Sequence, residues 1–65
     1  MKILPYASEL NWQVLDDAGG IIMFIDKFGS SATYRVSDLS FHKVHYIHNA
    51  DWLDVLAWLS KELEG

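Results

Sequence analysis

The sequence predicts a small α+β domain: an antiparallel β-meander of three to four strands followed by one C-terminal amphipathic helix packed on one sheet face. Three observations predict it. Successive runs alternate apolar and polar residues with period two, short stretches rich in Gly, Asp and Ser separate them, and the last segment changes to the helical period. Connections this short favour antiparallel neighbours, because a parallel crossover needs a dozen or more residues.

The first strand is expected at about 10–16, where Leu10, Trp12 and Val14 alternate with Asn11 and Gln13. Asp16-Asp17-Ala18-Gly19-Gly20 supplies turn formers and glycines able to take positive φ. The second strand, at about 21–28, is apolar on both faces, with Ile21, Met23 and Ile25 on one side and Ile22, Phe24 and Phe28 on the other. After a turn at Gly29-Ser30-Ser31, a third strand at about 32–37 puts Tyr34 and Val36 opposite Thr33, Arg35 and Ser37. A fourth follows at about 41–47, rich in aromatic and β-branched residues. Asn49 or Asp51 can cap a helix at about 50–64, with Asp51 and Asp54 complementing its dipole and Gly65 ending the chain.

On a helical projection Trp52, Leu56, Leu59 and Leu63 form one stripe that must cover the sheet. Trp58 projects about 140° from the centre of that stripe and is expected to be largely exposed, or folded back along the helix edge. Large, rigid and amphipathic, it is the first choice for a contact residue. Such a helix, about 22 Å long, covers one face of a small sheet and no more. Something must cover the other, and the candidates are the N-terminal segment Ile3-Leu4-Pro5-Tyr6, sheet curvature, or a second copy of the chain. A homodimer is expected, because a single domain of 65 residues (1–65) has little stability to spare. The interface residues expected from this reasoning are Trp58, Phe24, Phe28, Ile22 and Tyr6.

Composition narrows the function. The chain has no Cys, which excludes disulfides and thiolate metal sites and fits a reducing cytoplasm. No signal peptide or membrane-spanning run is readable, since the longest apolar stretch, Ile21 to Ile25, is far too short to cross a bilayer. Nine acidic residues against five scattered basic ones give a net charge of −4, which disfavours direct nucleic-acid binding.

The motif Phe41-His42-Lys43-Val44-His45-Tyr46-Ile47-His48 holds all three histidines at intervals of three. On a strand His42 and His48 share a face about 20 Å apart while His45 points to the other, so the three imidazoles cannot converge on a metal within one chain. Protonating them below about pH 6.5 would move the net charge from −4 toward −1. Gly29-Ser30-Ser31 reads as a turn rather than a nucleophile elbow, and adjacent Asp16 and Asp17 point apart into water. No catalytic, cofactor or metal residues are assigned and an enzyme is not expected. The expected function is that of a cytoplasmic protein-interaction module, an accessory, regulatory or inhibitory protein binding a protein partner, of the size of short proteins carried by phages and mobile elements. The alternative is an acidic mimic of nucleic acid, although the carboxylates are dispersed from Glu9 to Glu64.

Overall fold

The computed structural model describes residues 2–64, so Gly65, expected at the end of the helix, lies outside the described residues. Strands β1 (Lys2–Tyr6), β2 (Ser8–Leu15), β3 (Ile21–Lys27), β4 (Tyr34–Asp38) and β5 (Val44–Ile47) form one antiparallel sheet in sequence order, followed by helix α1 (Trp52–Glu64). The predicted α+β meander is present with one strand more than expected. The N-terminal segment does not fold across the sheet: it pairs beside β2, Ile3 opposite Val14 and Pro5 opposite Trp12. Pro5 lacks a donor for the ladder and is tolerated there because β1 is an edge strand. Ala7, at φ 66°, reverses the chain between β1 and β2.

Each turn is held by an identifiable group. The Asp16 carboxylate accepts hydrogen bonds from the backbone N–H of Ala18 (3.0 Å) and Gly20 (2.8 Å), and Gly19 takes φ 87°. Between β3 and β4, the Phe28 carbonyl accepts from the Ser31 amide at 3.1 Å and from its hydroxyl at 2.7 Å. The third turn corrects the expected strand at 41–47, because residues 41–43 belong to the turn. The Asp38 carbonyl accepts from Phe41 N–H at 3.2 Å, its carboxylate accepts from His42 N–H at 2.9 Å, and Phe41 sits at φ 58°, so pairing resumes only at Val44. These local bonds outcompete the β propensity of Phe41.

At the start of α1, Asp51 and Asp54 cap reciprocally: each carboxylate accepts the other's backbone N–H at 3.0 Å. This satisfies two donors that would otherwise be orphaned and puts negative charge at the positive end of the helix dipole. The helix face that meets the sheet is turned about 60° from the projected stripe, toward Trp58. Val55 and Leu59 are fully buried, whereas Leu63 is exposed and Leu53 is 73% exposed. With Ala50 they close a core on Val14, Ile25, Tyr34 and Val36 of the central strands.

Candidate functional site

Strand alternation divides the sheet cleanly. Trp12, Ile25 and Val36, paired in register across β2, β3 and β4, point at the helix, and Val14 lies on the same face in the next row, opposite Met23. Their neighbours in sequence therefore point the other way, to a face on which no helix lies. One row of that face runs Leu4, Gln13, Phe24, Ser37, Val44, and the next runs Asn11, Asp26, Arg35, Tyr46.

Aromatic side chains occupy both ends of this face. Tyr6 packs on Phe24 with ring centroids 5.7 Å apart, and Phe41 reaches back from the β4–β5 turn to lie parallel to Phe24 at 6.1 Å. At the other end Phe28 and Tyr46 stack at 6.1 Å, and Tyr46 stacks in turn on His48 at 6.1 Å. Between them Asp26 accepts hydrogen bonds from Asn11 Nδ2 at 2.5 Å, Arg35 Nε at 3.1 Å and Arg35 Nη2 at 2.7 Å. The hydrogen bond to Asp26 is the largest cause of a raised Arg35 pKa, which partial desolvation opposes and Tyr46 reinforces. The guanidinium, lying 5.5 Å from the Phe28 ring centroid, is therefore charged at any working pH. A shallow cavity of about 360 Å³ opens among Tyr6, Asn11, Phe24, Asp26, Arg35 and Phe41.

The expected interface residues separate onto two surfaces. Tyr6, Phe24 and Phe28 come together on the helix-free face. Ile22 is the extra residue of a β-bulge, left between the pairs Val14–Met23 and Leu15–Ile21, and is half-buried against the core. Trp58 lies on the opposite side of the sheet. It is half-buried rather than largely exposed, because its ring stacks on the His45 imidazole at 4.6 Å and 11°. Phe41, Tyr46 and the Asp26–Arg35 pair were not among the expected residues. Tyr46 carried a signal, since it alternates with helix-facing His45, whereas Phe41 reaches the face only through its turn conformation.

The histidines are dispersed, His42 in the turn, His45 under Trp58, and His48 beside the Thr33 hydroxyl at 3.3 Å. Among the described residues no group of three His, Asp or Glu side chains converges on a metal position, and no helix is long and apolar enough to cross a membrane. No family model, curated protein or solved structure matches the chain.

Proposed function

We propose that the protein is a protein-interaction module that acts by binding, as an accessory, regulatory or inhibitory protein in the cytoplasm, and that the helix-free sheet face is its binding surface. The observation that carries this reading is the exposure on that face of Tyr6, Phe28, Phe41 and Tyr46, each between 42% and 56% accessible, around a charge-paired centre. Aromatic residues and Arg are the side chains that dominate binding hot spots, because they bury large area at low rotamer cost. We propose the same surface for the homodimer expected from the sequence.

Carboxylates that could exchange protons with a substrate sit in separate turns or at the helix start, as with Asp16, Asp38 and Asp51, and this favours binding over catalysis. The same dispersal gives little support to nucleic-acid mimicry, which needs a regular array of charge. Affinity capture from the native cell tests the reading. Phe28→Glu and Tyr46→Glu are expected to abolish capture of a protein partner, whereas retention of the same partner by both folded variants would show that the face is not the binding surface.

A further inference from the structure

The helix-free face exposes a contiguous set of apolar side chains, and its charges determine what fits it. Leu4, Tyr6, Phe28, Phe41, Val44 and Tyr46 are each 38% to 56% exposed there. At the usual area of such side chains they offer roughly 500 Å² of apolar surface, a large share of the ~800 Å² that each partner contributes to a stable interface. The chain carries a net charge of −4, yet Asp26 and Arg35 cancel on this face. Asp16 and Asp17 are in a turn, Asp38 faces the helix side opposite Met23, and Asp51, Asp54 and Glu62 belong to the helix and its cap. Glu9 is exposed at the start of β2, outside the paired rows around Asp26 and Arg35, so two copies centred on those rows approach without opposing these carboxylates.

Resting on the binding surface proposed above, we infer that the occupant of this face is a second copy of the chain, related by a two-fold axis parallel to the strands and passing between β3 and β4. The register decides the axis. Asp26 and Arg35 are direct cross-strand neighbours, as are Phe24 and Ser37. An axis between the two strands lays β3 of one copy over β4 of the other, so that Asp26 of each copy meets Arg35 of its partner. A two-fold axis at right angles to the strands through that row would instead set Asp26 on Asp26 and Arg35 on Arg35, which like-charge repulsion opposes. Two faces packed in this way lie about 10 Å apart, a gap that interdigitated Arg and Asp side chains span while the aromatic groups close around them. Arg35 gives only Nε and Nη2 to its own Asp26, so donors remain for the second carboxylate. The interface is isologous and closes at two copies.

Sedimentation of the purified chain is expected to give twice its 7.5 kDa mass at micromolar concentration. Asp26→Arg alone and Arg35→Asp alone each set like charges against one another across the axis, and each is expected to weaken self-association by about tenfold or more. Mixed in equal amounts, the two variants oppose Arg to Asp at every position across the axis, and the dimer mass is expected to return. Circular dichroism establishes that each variant is folded. Should either fail to fold, Tyr46→Glu, at a 46% exposed position, is expected to be a folded monomer. A particle of 7.5 kDa up to about millimolar concentration, a mixture of folded variants that stays monomeric, or a Tyr46→Glu dimer would each overturn the inference. A monomeric wild type whose capture of a cellular partner is still lost in Tyr46→Glu removes the second copy and leaves the interaction module standing.

Discussion

Ser37 is 1% exposed, and its hydroxyl is the buried side-chain oxygen that lacks a hydrogen-bond partner among the described residues. It stands on the helix-free face with Phe24 beside it on β3 and Val44 on β5, and the Phe41 ring lies parallel to that of Phe24. Apolar side chains thus surround a desolvated polar group, an arrangement that costs stability because the hydroxyl has given up water and gained nothing in return. Ser37→Ala removes the oxygen and leaves the ladder intact. It is expected to stabilise the fold by about 1 kcal/mol, read as a higher urea midpoint at unchanged slope. A loss of stability would mean instead that the hydroxyl is satisfied in solution.

Helix α1 shows how tertiary packing overrides a projection of the sequence. Its apolar residues spread over more than half of the circumference, with Leu53 on one flank of the projected stripe and Val55 and Trp58 beyond the other, so the stripe alone does not fix which side is buried. The sheet decides: His45 on edge strand β5 offers a flat partner for the Trp58 ring, and rotation toward it carries Val55 and Leu59 fully inside while Leu53 turns to solvent. Trp58→Ala is accordingly expected to cost about 2 kcal/mol, below the 3–5 kcal/mol typical of a fully buried large aromatic, and Leu53→Ala almost nothing. Chemical denaturation of the two variants measures both, and equal small losses would restore the unrotated helix. Strands β2, β3 and β4 were legible because alternation and turn residues are local signals. Strand β1 was not, because Pro5 reads as a breaker until its place at the sheet edge is known, and the start of β5 was not, because Asp38 holds Phe41 and His42 by bonds that periodicity does not encode. The Asp26–Arg35 pair depends on the β3–β4 register, which neither strand specifies alone.

At the scale of the whole molecule, a sheet with a helix on one side has two layers and one core, and its shortest extent of 22 Å is the thickness of one such stack. In the proposed dimer the second sheet face is closed by a second copy, and the charge distribution fixes how that association responds to salt. Two chains of net charge −4 repel at a distance, and added salt screens that repulsion, while the Asp26–Arg35 contacts at the centre of a closed interface are screened much less. Raising NaCl from about 50 mM to about 500 mM is expected to leave dimerisation unchanged or strengthen it by a few fold, as followed by sedimentation equilibrium. An acidic mimic seated in a basic groove has the opposite dependence, because salt weakens the attraction that holds it there. A dimer that dissociates steeply with rising salt would show that charge, rather than the aromatic face, holds the two copies together.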